Sequence, residues 1–280
     1  MSFGPLVSAD WLAERIGDVR VVDVRWYLDG RSGRDAYLGG HLPGAMWLDL
    51  NEDLSAPATP ADGRHPLPTP EHFAAALGRV GLAEGTPVVA YDDAGGSVAS
   101  RLWWMLHVLG EPVAVLDGGL AAWRGDLVTE VPTWAPVGRP ARAWPPHRFV
   151  TADGLVASPA AIYDARTAER YAQGDPAIDP RPGHIPGARS AAWGENLDVD
   201  GRFRPAAELR ERYAAAATRG AIAYCGSGVT ACHDLLAMEL AGIESTALYP
   251  GSWSQWGADP SRAIETADLI QTRPPPVTGR

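Results

Sequence analysis

The chain of 280 residues is 46% hydrophobic and 21% charged, which excludes a disordered polypeptide and leaves room for one large domain or two ordinary ones. All 24 basic residues are arginine, so a Schiff-base lysine and the lysine of a Walker A loop are both excluded. A net charge of -10 sets the surface against duplex nucleic acid and anionic membranes, and an anionic ligand needs a local arginine cluster.

The first residues lack the basic, apolar and small-residue order of a secretory leader, and no apolar run approaches the ~18–20 residues of a membrane span, so a cytoplasmic location is expected. Short apolar runs bounded by turn residues predict strands at 20–24, 87–91 and 113–116, with a helical pattern at 98–109. Residues 126–150 carry Pro132, Pro136, Pro140, Pro145 and Pro146, a spacing that blocks helix and disfavours a central strand, so they read as a linker. Beyond it the order recurs, with strands at 161–163, 221–224 and 246–249 and a helix at 229–241.

The two halves share landmarks. Asp23-Val-Arg25 matches Asp164-Ala-Arg166, and His41-Leu-Pro43-Gly44-Ala45 matches His184-Ile-Pro186-Gly187-Ala188. Tyr91-Asp92 falls on Tyr224-Cys225 at an offset of 133, which then carries Gly95 onto Gly228, Gly118 onto Gly251 and Trp123 onto Trp256. A duplicated unit accounts for the length, with domains over 1–125 and 151–280 joined by the 126–150 linker. Alternating strand and helix signals predict an α/β fold with a mostly parallel sheet in each half and ligand sites beyond the carboxyl ends of the strands.

Cys225-Gly226-Ser227-Gly228-Val229-Thr230 lies at such a turn. Two glycines let several N–H groups curl inward, and the helix beyond adds its positive end. A cradle of this kind holds an anion, favours a thiolate over a thiol and makes Cys225 a nucleophile. Cys232, seven residues on, falls inside the helical pattern and reads as core. On one helix the two α-carbons would stand ~10 Å apart, beyond the ~7 Å reach of a disulfide. Seven histidines and two cysteines show no metal-ligand spacing, so no metal or other cofactor is expected. The 11 tryptophans read mainly as packing.

The loop Cys225-Gly-Ser-Gly-Val-Thr-Ala-Cys232-His233 resembles the active loop of the two-domain rhodanese superfamily, in particular its 3-mercaptopyruvate sulfurtransferases. Asp164-Ala-Arg166, Asp179-Pro-Arg181-Pro-Gly-His184, Asp117-Gly-Gly and Gly251-Ser-Trp253 follow in the family's order over nearly the whole chain. The resemblance implies two tandem rhodanese-like domains, the first catalytically silent because Asp92 stands at the cysteine position. It implies a Cys225 persulfide, filled from a small-molecule donor and emptied to cyanide or a thiol, with a thioredoxin-like dithiol as a natural acceptor. Thiosulfate-using relatives place basic side chains in this loop; Gly226 and Ser227 stand there instead, which favours 3-mercaptopyruvate as donor. Arg170 and Arg181 match the family's substrate-binding pair. Ser227 is implied to contact the donor carbonyl or relay a proton, and Thr230 to cap the helix or donate to the sulfur. Some members have a histidine near His41, with an aspartate, orienting the serine. The short spacing from Asp35 to His41 favours a structural role for both residues over that one.

Three other readings bear on the same loop. Cysteine phosphatases need an arginine six residues after the nucleophile, and Ala231 stands there. A non-catalytic sulfur-carrier or binding module suits Asp92 but not an intact Cys225 loop. Thiosulfate sulfurtransferase is the nearest enzymatic rival, separated only by loop chemistry.

Overall fold

The computed structural model describes residues 4–59 and 61–266; the outer ends of the expected domains, 1–3 and 267–280, lie outside the described residues. The first half forms a five-stranded sheet from β1 (Leu6–Val7), β2 (Arg20–Asp23), β3 (Met46–Trp47), β4 (Val88–Tyr91) and β5 (Val113–Leu116), in the order β1-β5-β4-β2-β3. The second half forms a four-stranded sheet from β6 (Ala161–Asp164), β7 (Arg189–Ser190), β8 (Ala221–Tyr224) and β9 (Thr246–Leu248), in the order β7-β6-β8-β9. Every strand pairing is parallel. The central strands β4 and β8 are buried throughout, as expected of parallel strands covered on both faces, and their sequences are correspondingly apolar without alternation.

The repeat is visible in the register. Asp23 pairs with Tyr91 and Asp164 with Tyr224. Asp23 takes the Arg25 guanidinium at 2.6 Å and Asp164 takes that of Arg166 at 2.7 Å; each arginine then donates at 2.8 Å to a carbonyl just before the His-x-Pro-Gly-Ala segment, Gly40 or Gly183. Removing one member of a buried pair of this kind is strongly destabilising, because the other charge is left uncompensated.

Between the sheets, the Ala99–His107 and Ala231–Leu240 helices pack against each other within one hydrophobic cluster that contains Leu102, Trp103, Leu235 and Leu236. The second helix is buried on nearly every face, which is why it lacks a polar stripe. Among the described residues, 126–150 hold the Pro146–Arg148 turn and two isolated bridges, His41–Val128 to the first half and Phe149–Leu248 to the second. They lie along the first domain through Val137 N–H to Gly78 O, and an Arg139–Glu111 ion pair at 2.7 Å. Among the described residues, no helix is long and apolar enough to cross a membrane.

Two straps cross between the halves. Gly63, at φ 87°, passes so close to Gly251 that a Cβ would stand 2.7 Å from its carbonyl oxygen. Arg64 N–H donates to Ser254 Oγ at 3.1 Å, and Gln255 Nε2 donates to Ala61 O at 2.6 Å. In return, Phe203 N–H donates to Asp117 Oδ1 at 3.0 Å, beyond Gly201 at φ 73°.

Candidate active site

Strand β8 ends at Tyr224 and the chain turns at once, leaving Cys225 at the carboxyl edge of the sheet. The Cys225 Sγ accepts the N–H of Gly228 at 3.1 Å and of Ser227 at 3.4 Å. Gly228 has φ 79°, and a Cβ there would meet Pro250 O at 2.6 Å, so only glycine closes this turn. Behind the loop, Ser252 Oγ accepts the Cys225 N–H at 3.1 Å, and the N–H groups of Trp253 and Ser254 donate to the carbonyls of Cys225 and Gly226. Ser252 sits at φ 50°, a strained position held by its buried hydrogen bonds.

The equivalent loop of the first half shows what this shape encloses. Asp92 Oδ1 accepts from Ala94 and Gly96, and Oδ2 from Val98 and Ala99, at 2.8–2.9 Å. Burial pushes this carboxyl upward, and the four donors oppose that shift. One copy therefore encloses a carboxyl group at the point where the other presents a sulfur.

A cavity of about 360 Å³ opens beside the sulfur, lined by Cys225, Gly226, Ser227, Val229 and Thr230 on one side and by Trp26 and Arg64 of the first domain on the other. Thr230 occupies the N-cap position of the Ala231–Leu240 helix but makes no side-chain capping bond, so the expected cap is not formed. Arg170 reaches the cavity with its guanidinium held by Asp179, through Nε at 3.0 Å and Nη2 at 2.6 Å. Burial works against the Asp179 charge, yet the bonds and charge of Arg170 and Arg166 hold its carboxyl below the usual range. A Cβ on Gly226 would lie 2.7 Å from Arg64 Nη2 and 2.9 Å from Arg170 Nη2, so two guanidinium groups converge over a glycine. Arg166 and Arg170 have carboxylate partners; Arg64 has none within ion-pair distance among the described residues, and its Nε is buried without an acceptor. Burial, then repulsion from Arg170, lowers the pKa of Arg64.

Three expected side chains are elsewhere. Arg181 does not line the cavity: its guanidinium donates to the carbonyls of Gly257, Trp256, Asp259 and Arg262 at 2.7–3.2 Å and locks the chain after the last helix. His41 is fully buried, stacked on Tyr37 and bonded to the carbonyls of Tyr37 and Glu130. His184 repeats that arrangement on Tyr171. Asp35 is exposed in the first turn of the Gly33–Gly39 helix.

The residue that bonds Ser227 is His65, whose Nδ1 lies 2.8 Å from Ser227 Oγ and whose Nε2 lies 3.1 Å from Asn51 Oδ1. With the amide oxygen as acceptor, the ring proton sits on Nε2 and Nδ1 accepts from the serine. Burial, with repulsion from Arg101 and Arg64, pushes His65 down to about 3, so the ring is neutral near pH 7. The sequence does carry a signal for this strap. Gly63-Arg64-His65 and Gly201-Arg202-Phe203 are matching turns, and the first bears a titratable ring where the second bears phenylalanine.

The profile of the Rhodanese-like domain matches residues 8–126 and 151–259. The chain belongs to the rhodanese-like family. A Pseudomonas aeruginosa protein named probable 3-mercaptopyruvate sulfurtransferase is 42% identical over 96% of this chain and 100% of its own. A Mycobacterium tuberculosis protein whose provisional name is thiosulfate sulfurtransferase is 37% identical over 92% of this chain and 96% of its own. The crystal structure of a 3-mercaptopyruvate sulfurtransferase from Escherichia coli superposes with a TM-score of 0.76, at 34% identity over 90% of this chain and 99% of that one. The rhodanese-like fold thus accounts for both sheets and for the sulfur at the end of β8.

Proposed function

We propose that the protein is a sulfurtransferase that moves the sulfur of 3-mercaptopyruvate through a Cys225 persulfide to a thiol or cyanide acceptor, releasing pyruvate. The Cys225 thiolate attacks the donor sulfur, an S–S bond forms, and the C–S bond breaks. Its electron pair leaves on carbon as the enolate of pyruvate, which takes up a proton. The persulfide loses its own proton and remains as an anion under the N–H groups of Ser227 and Gly228, the kind of charge that preorganised donors stabilise. An acceptor then attacks the outer sulfur, and Cys225 leaves as thiolate.

The observation that carries the choice of donor is the convergence of Arg64 and Arg170 over Gly226, with Arg64 lacking a carboxylate. A guanidinium held by the Ile178 carbonyl at 2.8 Å but by no carboxylate suits the single carboxylate of a 2-oxo acid, which arginine binds in bidentate fashion. Ser227, oriented by His65, provides the hydroxyl for the donor carbonyl. Names of close relatives support the same reading. A soluble dithiol of the thioredoxin kind fits as physiological acceptor.

The test is intact-protein mass spectrometry after brief exposure to 3-mercaptopyruvate, with pyruvate measured in parallel. The expected result is one added sulfur on the wild-type chain, removed by cyanide, and none on Cys225→Ser. Pyruvate release without a Cys225 adduct contradicts the mechanism.

A further inference from the structure

The buried pair of Asp164 and Arg166 recurs in the first half as Asp23 and Arg25, so it belongs to the fold. A second pair beside it does not recur. Tyr37 and Tyr171 hold equivalent places, each donating through its hydroxyl to the carbonyl of the alanine that ends the His-x-Pro-Gly-Ala segment. One residue earlier, Ala36 stands where the other half has Arg170. Three residues then separate Tyr37 from His41, but twelve separate Tyr171 from His184. The added length carries Asp179, the carboxylate that holds Arg170. This arginine and its answering carboxylate thus occur together, and only in the half that contains Cys225.

The same added segment treats the two converging guanidinium groups differently. It grips Arg64 through the Ile178 carbonyl, which accepts from Nη1 at 2.8 Å, but gives it no charge. It meets Arg170 with a carboxylate whose side chain is 2% exposed. Asp179 Oδ2 accepts from Arg170 Nε and, at 2.9 Å, from the Asp175 N–H; its Oδ1 accepts from Arg170 Nη2. Arg166 Nη1 lies 3.5 Å away. The Nε–Nη2 edge of Arg170 is therefore already taken by a carboxylate in the bidentate manner. Asp175, half-buried beside the cavity, accepts the Ala177 N–H through Oδ1 and pairs with none of these arginines among the described residues. Of the three guanidinium groups that line the cavity, Arg166 and Arg170 are answered by Asp164 and Asp179, and Arg64 keeps its charge.

We propose that Asp179 is a specificity-determining residue that acts through Arg170: by cancelling the charge of that guanidinium it fits the cavity to a singly charged anion and against a doubly charged one. The inference deepens the reading of the cavity as a donor site and rests on it. Coulomb energy follows the product of the charges, so each further positive charge at the site favours a dianion about twice as much as a monoanion. Arg170 remains available to orient an anion through Nη1, while Arg64 supplies the net attraction. Specificity of this kind comes from a carboxylate that withholds attraction as much as from the arginine that provides it.

The test uses no sulfur donor. Protection of Cys225 from iodoacetamide by pyruvate, a monoanionic 2-oxo acid, and by sulfate, a dianion, is measured at constant ionic strength by peptide mass spectrometry. Asp179→Asn keeps the shape but releases the charge of Arg170, and is expected to raise the ratio of sulfate to pyruvate affinity tenfold or more. Asp179→Glu, which keeps the charge, is expected to stay within about threefold of wild type. Arg170→Gln should lower the ratio, and the double variant Asp179→Asn/Arg170→Gln, with the net charge of wild type, should return it to within about threefold. A purely structural role for Asp179 would weaken both anions alike and leave their ratio unmoved. A folded Asp179→Asn with the wild-type ratio therefore overturns the proposal; if that variant does not fold, Arg170→Gln decides, and a ratio that fails to fall overturns it. A failed donor assay would leave this readout unchanged, so the two claims fail separately.

Discussion

Gly226 is the residue on which the donor site turns, because the space a side chain would fill there is taken by two guanidinium groups. Gly226→Ala is expected to displace Arg64 and Arg170 and raise KM for 3-mercaptopyruvate about tenfold with a smaller change in kcat, checked by steady-state kinetics. Arg170→Ala removes a charge-assisted contact worth about 1.5–3 kcal/mol and should raise KM about ten- to a hundredfold. Arg181→Ala should instead leave KM near wild type and lower Tm, since its partners are four backbone carbonyls. A KM effect for Arg181→Ala equal to that of Arg170→Ala would restore it to the donor site. His65 also shapes acid stability. A histidine in the unfolded chain titrates near 6.5, while the folded ring resists protonation until about 3. The stability contributed by the neutral ring is therefore complete above pH 6.5 and lost as pH falls toward 3, at about 1.4 kcal/mol per pH unit. Buried His233 acts in the same sense, and Asp234, raised to about 7 by burial, acts against both. His65→Gln is expected to flatten the fall of Tm across that window, measured by calorimetry at several pH values.

At the scale of the element, the two loops after β4 and β8 are one design with different contents. Asp92→Asn places an amide donor against two of four buried N–H groups and should cost about 2–5 kcal/mol, read as a fall in Tm. An unchanged Tm would mean that the carboxylate does not hold that loop together. The strands beside these loops were legible in the sequence because buried parallel strands are unbroken apolar runs. The two-residue strands β1, β3 and β7 were not, since a pair of residues carries no period. The Cys225 loop was legible because glycine spacing is local information. Arg181 misled because the Asp-Pro-Arg motif fixes its place in the chain but not the direction of its side chain, which turns toward the carbonyls around Trp256.

At the scale of the molecule, duplication explains both the success and the blind spot of the sequence. Matching landmarks reveal two halves, but Arg64, His65 and Arg101 act on a loop more than 100 residues away, and nothing in one sequence pairs them with it. The half that carries Asp92 in place of the cysteine is therefore more than a wall: its strap and its buried helix touch the Cys225 loop of the other half. The central claim is that this composite site selects a monoanionic 2-oxo acid over thiosulfate. It is tested most directly by kcat/KM measured side by side, following pyruvate from 3-mercaptopyruvate and thiocyanate from thiosulfate plus cyanide, with Cys225→Ser as control. We expect a preference for 3-mercaptopyruvate of tenfold or more, at least ~1.4 kcal/mol of differential transition-state binding, and no turnover by the control. An equal or greater kcat/KM for thiosulfate would contradict the assignment of Arg64 and Arg170 to a single carboxylate.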